Sequence, residues 1–246
     1  MTDSSPDNRT APAGDGAAYW SWAGFGEGVR LVLPVMPGMV IFGMAFGALA
    51  AQKGLSLLEA TLMSGLVYAG ASQFVALEMW SDIATLAGIA AIGLVTATVN
   101  MRFVLMTASL RPWFGSLPAW QSYPALFTVT DPGWLIAMNY HANGGRDAAI
   151  LVGGGLAFWL LWIASTAPGY LLGALVTDQR MFGFDVIMPA FFIVMLVPLW
   201  RGARRAIPWV IAAGVALLVA ALMPGWWFIM AGSVAGGIAG GFIDES

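Results

Sequence analysis

From about residue 29 to residue 242 the chain is a series of apolar runs joined by short polar turns. That pattern limits the fold more than any motif does. The runs cover approximately 29–51, 57–79, 83–99, 102–110, 125–140, 148–176, 186–199, 207–223 and 226–242. Several reach the ~20 residues that a helix needs to cross a hydrocarbon core of about 30 Å. Lipid offers no partner to a free N–H or C=O, so such segments fold as helices that pair their own backbone. Charged residues make up only 9% of the chain, against about 25% in soluble domains. The expected fold is all-α: a polytopic transmembrane helix bundle of about seven or eight spans, with broken helices. The count depends on whether 102–110 and 125–140 are two half-spans or one span with a tail. Residues 27–246 are expected to form one membrane domain. Residues 1–26 read as a disordered, cytoplasmic polar tail without the order of a cleaved signal peptide.

Charge and rare residue types narrow the chemistry. The net charge of -3 gives no footing for a nucleic-acid partner, so the bilayer is the expected macroscopic partner. There is no cysteine and one histidine, His141, so neither a thiolate nor a histidine-pair metal site is expected, and no cofactor signature is visible. Arg201, Arg204 and Arg205 form the densest basic loop, and Arg9 and Arg30 flank the first run. The positive-inside rule then places the N-terminus in the cytoplasm. Trp80, Trp113, Trp120, Trp200, Trp209, Trp226 and Trp227 lie near run ends, where interfacial anchors occur.

Within the runs, a few places break the rule of uniform apolarity. Pro34 and Pro37-Gly38 interrupt the first run, where a kink is expected. Tyr68-Ala69-Gly70-Ala71-Ser72-Gln73-Phe74 puts small residues, a hydroxyl and a carboxamide at the middle of the second. Small residues let another backbone approach, and Ser72 and Gln73 bring polar groups where water is scarce. This is a candidate binding site; the competing reading is interhelical hydrogen bonding that only holds the bundle together. Arg102, with Asn100 two residues before it, lies in apolar surroundings. It either has a partner or ligand, or snorkels from a helix end. Asp131 precedes a proline, which disfavours helix at that position. An ion pair with Arg102 would neutralise both, whereas Thr130-Asp131-Pro132-Gly133 could equally be an extramembrane turn. Glu59 and Asp185 sit near run starts, where a carboxylate suits the helix dipole; a role in proton coupling is the sharper reading.

An internal repeat is visible at an offset of 126 residues. Gly43, Gly47, Ala48 and Leu49 match Gly169, Gly173, Ala174 and Leu175, and Glu59 falls on Asp185. Duplicated halves are common in transporters. Glycine, alanine and leucine are abundant here, so chance is the competing account.

Several of these clusters occur together in one family. The pieces are Gly28-Val29-Arg30, Pro37, Phe42-Gly43, then Gly54-Leu55-Ser56 with Glu59-Ala60 and Ser64, leading into Tyr68 to Gln73. Asn100-Met101-Arg102 with Ala108-Ser109-Leu110, Thr130-Asp131, Phe184-Asp185 and Pro189-Ala190-Phe191 follow in order over about 27–200. The chain resembles the AzlC-type branched-chain amino acid permeases, the large subunits of two-component exporters. Pro132, where an acidic residue is expected, and Met101, where leucine is usual, depart from that pattern.

The resemblance implies export of valine, leucine, isoleucine and methionine or analogues across the inner membrane, with a small AzlD-type membrane subunit as partner. On that footing 27–246 is a transporter domain driven by the proton-motive force. Tyr68, Gly70, Ser72, Gln73, Asn100 and Arg102 are the expected substrate-binding residues, with Phe74 or Met101 against the aliphatic side chain. Asp131, Glu59 and Asp185 are the candidates for proton coupling. Two rivals stand beside this reading: a non-transporting assembly subunit, which the packing face of Gly232, Gly236 and Gly240 in the last run permits, and a membrane enzyme, for which no nucleophile–base pair is in view.

Overall fold

The computed structural model describes residues 18–80, 85–175, 193, 200, 202–223 and 227–244. Every regular element among them is helical. The first run is one rod: α1 (Trp22–Val32), a 3-10 turn (Leu33–Val35) that takes up Pro34, and α2 (Met36–Gln52). Helix starts at Trp22, before the apolar run itself, because Ser21 caps it: its hydroxyl accepts the Gly24 N–H at 2.8 Å. Two short helices follow, α3 (Leu57–Leu66) and α4 (Gly70–Glu78), and then α5 (Leu86–Ser109). Beyond these come α6 (Arg111–Phe114), α7 (Ala119–Phe127), α8 (Asp131–Ala142) and α9 (Ala149–Leu175). The last described elements are α10 (Ile207–Leu222) and α11 (Trp227–Asp244), which pack mainly on each other.

The α1–α2 rod and α9 form the central pair, and they run parallel. A Cβ on Gly28 would stand 2.2 Å from the Ile150 carbonyl oxygen. One on Gly169 would stand 2.1 Å from the Met44 carbonyl oxygen, and one on Gly173 2.4 Å from Ala48 Cα. Contacts advance in the same direction on both helices, so both begin on one face of the membrane, called here the near side. The two glycine clusters matched by the repeat are thus the two surfaces of one close helix pair. The near-side ends are joined by Asp147, a carboxylate only 3% exposed. It accepts the Ser21 hydroxyl, the Ser21 N–H at 3.2 Å and the Ala149 N–H at 3.0 Å.

The second run is long enough to cross the membrane, yet it turns back. Ten residues of α3 rise about 15 Å, half the hydrocarbon core. Antiparallel to α9, α3 climbs from Leu55, whose carbonyl accepts the Tyr170 hydroxyl at 2.8 Å, to Ser64, 2.7 Å from the Thr166 hydroxyl. The chain bends at Val67-Tyr68-Ala69, and α4 descends beside α2. Phe74 stacks on Phe42 at 4.8 Å, and Glu78 reaches Lys53 at 3.8 Å. Since Lys53 lies just before α3 begins, the two ends of this segment share the far side. It is a re-entrant helical hairpin.

A second hairpin enters from the near side. Because α5 crosses without a break, the 102–110 run is the end of a full span rather than a half-span. It brings the chain to the near side, where Trp113 donates from its indole to the Arg146 carbonyl at 3.1 Å and stacks on His141. From there α7 dives to mid-membrane, the chain breaks at Thr128-Val129-Thr130, and α8 returns to His141. Sequence placed this break at Asp131-Pro132-Gly133. The helix instead starts at Asp131, because Pro132 occupies the first turn, where its missing N–H goes unused. Four long apolar helices remain among the described residues: 22–52, 86–109, 149–175 and 204–222.

Candidate functional site

The two hairpin tips meet between α2, α5 and α9, around a cavity of about 40 Å³. Tyr68, Ala69, Gly70 and Ala71 line it from one tip, and Thr130, Asp131 and Pro132 from the other. Met39, Phe42, Arg102, Phe103 and Trp162 complete the wall. The cavity is therefore apolar on most of its surface and charged at one place.

The first tip owes its shape to Tyr68. With φ at 45°, it is the one non-glycine residue of positive φ among the described residues. That conformation costs a bulky side chain about 1–3 kcal/mol. Its hydroxyl offsets part of this cost by donating to the Gly155 carbonyl at 2.9 Å, which seats the tip on α9. Because α3 stops here, α4 begins afresh at mid-membrane. Its first intrahelical bond is Gln73 N–H to the Ala69 carbonyl at 3.0 Å, so the N–H groups of Gly70, Ala71 and Ser72 have no partner within the helix. Gly70 has no Cβ for a reason: one placed there would stand 3.0 Å from Trp162 and 3.2 Å from Phe42.

The second tip is built alike. Thr130 caps α8, accepting the Gly133 N–H at 3.2 Å, and so α8 also starts at the cavity. Two half-helix N-termini, each equivalent to about +0.5 charge, thus converge on one point. Arg102 adds a full positive charge. Asp131 answers it, with its Oδ1 2.9 Å from Arg102 Nε. The approach is a charge contact without hydrogen-bond alignment. Both side chains are about a quarter exposed, at 26% and 29%. The balance of the site favours an anionic group.

Of the residues expected from sequence, Tyr68, Gly70, Arg102 and Asp131 come together on this wall. The other described ones lie elsewhere. Ser72 turns back to donate to the Ala69 carbonyl at 2.9 Å. Gln73 is wholly buried behind the wall, with neither polar atom of its carboxamide paired, and Asn100 Oδ1 is likewise buried and unpaired. Met101 is 63% exposed and away from the cavity, while Phe74 belongs to the aromatic core with Phe42, Phe46 and Trp162. Glu59 sits at the far-side start of α3 in a capping box, its Oε2 2.7 Å from both the N–H and the hydroxyl of Ser56. Asp185 lies outside the described residues. Met39, Phe103 and Trp162, and Phe42 beyond its place in the family pattern, are not among the expected site residues, because apolar residues in an apolar run carry no local signal.

Comparison with known proteins bears on the same segment. The family model described as AzlC protein matches residues 34–176, which hold both hairpins and the whole cavity wall. A branched-chain amino acid transport protein, AzlC, of Bacillus subtilis is 26% identical over 194 residues, covering 75% of this chain and 71% of its own. The inner membrane protein YgaZ of Escherichia coli is 29% identical over 183 residues, covering 71% and 73%. An uncharacterized membrane protein of Archaeoglobus fulgidus is 28% identical over 180 residues, covering 72% and 77%. No solved structure matches the chain.

Proposed function

The chain belongs to the AzlC family, and from that membership and the cavity together we propose that it is a secondary transporter exporting branched-chain amino acids across the inner membrane. The Bacillus subtilis relative, named for branched-chain amino acid transport, supports the substrate class. The observation that carries the reading is the Arg102–Asp131 pair set where two half-helix N-termini meet, inside an otherwise apolar wall. A zwitterion with an apolar side chain has the matching pattern. Its carboxylate replaces Asp131 at Arg102 and takes the free N–H groups at the start of α4. The Arg fork suits a carboxylate in two-point contact. Its ammonium takes the released Asp131 carboxylate. Its branched side chain lies against Met39, Phe42, Phe103 and Trp162.

Asp131 is also our proposed coupling residue. A carboxylate that holds either the substrate's ammonium or a proton exchanges one for the other, so an inward proton gradient drives the amino acid out. Glu59, tied up in its capping box, is not part of this scheme. We place the near side in the cytoplasm, since Arg30, Arg111 and Arg146 belong to that end and Lys53 to the other. A small AzlD-type subunit is the proposed partner, and the chemistry is transport without catalysis.

The test is efflux of valine from cells loaded with a valine-containing dipeptide, with and without the small subunit. Asp131→Asn should leave efflux unresponsive to the proton gradient. A proton dependence unchanged in that variant removes Asp131 from coupling.

A further inference from the structure

The two hairpins are fastened unequally. The first is bound to α9 through its α3 arm and tip: Leu55 to Tyr170, Ser64 to Thr166, the Gly65 carbonyl to the Trp159 indole at 2.9 Å, and Tyr68 to Gly155; its α4 arm packs on α5 and α2. Seven of the nine residues of α4 are buried. In the second hairpin α8 is packed on α9 and α1, but its entering arm, α7, buries only Ala125. Among the described residues, α7 hydrogen-bonds outside itself only to its immediate chain neighbours, through Ser122 to the carbonyls of Phe114, Leu117 and Pro118 on one side and to Thr128 and Val129 on the other. Behind α7, between it and the near-side ends of α1 and α9, lies an apolar groove of about 730 Å³ walled by Trp22, Phe25, Val152 and Leu156.

We propose that α7 with Thr128 is the gate of the cavity on the near side, hinging at Val129 and swinging into this groove while Thr130, the cap of α8, and the α3–α4 hairpin stay fixed. The inference rests on the reading of the cavity as the substrate site. Its closed position is held at Gly155. There the absent Cβ lets the Thr128 backbone lie against α9; a Cβ would stand 2.2 Å from the Thr128 carbonyl oxygen. Phe127 covers Tyr68 from the same arm, with ring centroids 6.4 Å apart. Opening needs a shift of the arm alone. Among the described residues, no hydrogen bond from α7 to a distant element has to break, whereas the first hairpin would lose four, two of them buried.

The chain has no cysteine, so a single reporter, Ala69→Cys on the fixed tip, reads opening directly. The assay is its modification rate by a membrane-impermeant thiosulfonate reagent, applied from either face of oriented vesicles. Gly155→Ala pushes Thr128 off α9 and should raise near-side labelling about tenfold. Phe127→Ala should raise it too and serves if Gly155→Ala does not insert. Val152→Trp fills the groove and should lower near-side labelling. Far-side labelling should not change in any of them. Near-side rates that are unmoved by both gate variants, or raised by Val152→Trp, overturn the proposal, as does a rise on the far side. The readout needs no substrate. A failure of the transport assay with the labelling pattern intact would count against the substrate reading alone, and the reverse against the gate alone.

Discussion

Arg102 offers the sharpest test of the proposed site. At 2.9 Å from Asp131, two unit charges attract by about 6 kcal/mol at an effective permittivity of ~20. Desolvation and partial exposure cut this to a net contribution of about 1–2 kcal/mol for the pair. The proposed substrate contact is larger, since two charge-assisted hydrogen bonds are worth about 1.5–3 kcal/mol each. Discounted for the water that re-enters at a quarter-exposed site, about 3 kcal/mol is lost in Arg102→Ala, or roughly a hundredfold in apparent affinity. Arg102→Lys keeps the charge without the fork and should lose about tenfold. The double variant Arg102→Ala with Asp131→Ala separates two roles. Thermal unfolding in detergent should show the two changes coupled by about 1–2 kcal/mol, because neither charge is left unpaired. Efflux should stay lost, because the substrate's partners are gone. The assay is dipeptide-loaded valine efflux at graded loading, with membrane protein quantified in each strain. Normal efflux by Arg102→Ala at equal protein would refute the argument and leave the pair a structural tie.

Other outcomes follow from the geometry. Because 57–79 is re-entrant, single cysteines at Lys53 and Glu78 should be labelled from the same face; labelling from opposite faces would make it a crossing. Gly47→Val places a branched side chain where even a Cβ would lie 2.1 Å from the Thr166 carbonyl oxygen. It should abolish a monodisperse peak in size-exclusion chromatography, while Gly38→Ala, with open space around it, should leave the peak intact. Tyr68→Phe removes the bond that ties the tip to the Gly155 carbonyl and should lower stability by about 0.5–1.5 kcal/mol, seen as a fall in melting temperature. Ser64→Ala and Thr166→Ala should prove coupled in a double-mutant cycle by about 0.6–1.7 kcal/mol, the range for such bonds in membranes.

Helices, kinks and breaks were legible in the sequence, because lipid forces apolar segments to be helical and polar groups within them stand out. The sequence predicts a broken helix around Gly70–Gln73 for that reason, a few residues past the bend at Val67-Tyr68-Ala69, since Gly70 already opens α4; Asp131 opposite Arg102 suggests a pair. The direction in which the chain leaves a break was not legible. Hydropathy is the same for a run that passes through and for one that doubles back; the Lys53–Glu78 contact, invisible as a local pattern, decides it. Ser72 and Gln73 show what local polarity leaves open. A polar residue inside an apolar run signals a special environment without saying which way it faces, and these two turn from the cavity. Asp147 was passed over because 143–147 is polar and looks like solvated loop. Its one available signal was arithmetic: it stands 126 residues after Ser21, the same offset as the glycine clusters it helps to hold together.

The reliance of the earlier elements on α9 has a consequence for synthesis. The α1–α2 rod, the entering arm and tip of the first hairpin and the returning arm of the second all find partners on residues 149–175, which leave the ribosome after every one of them. Until then the far-side hairpin has no wall for the Tyr68 hydroxyl or the Ser64 side chain, and its half-length helices end in lipid with free backbone groups. A chain halted before Ala149 is therefore expected to insert its first rod and be unable to seat either hairpin, and to become a substrate for membrane quality control. The second hairpin and α9 emerge in direct succession, so final seating of the site is a single late event rather than a gradual one.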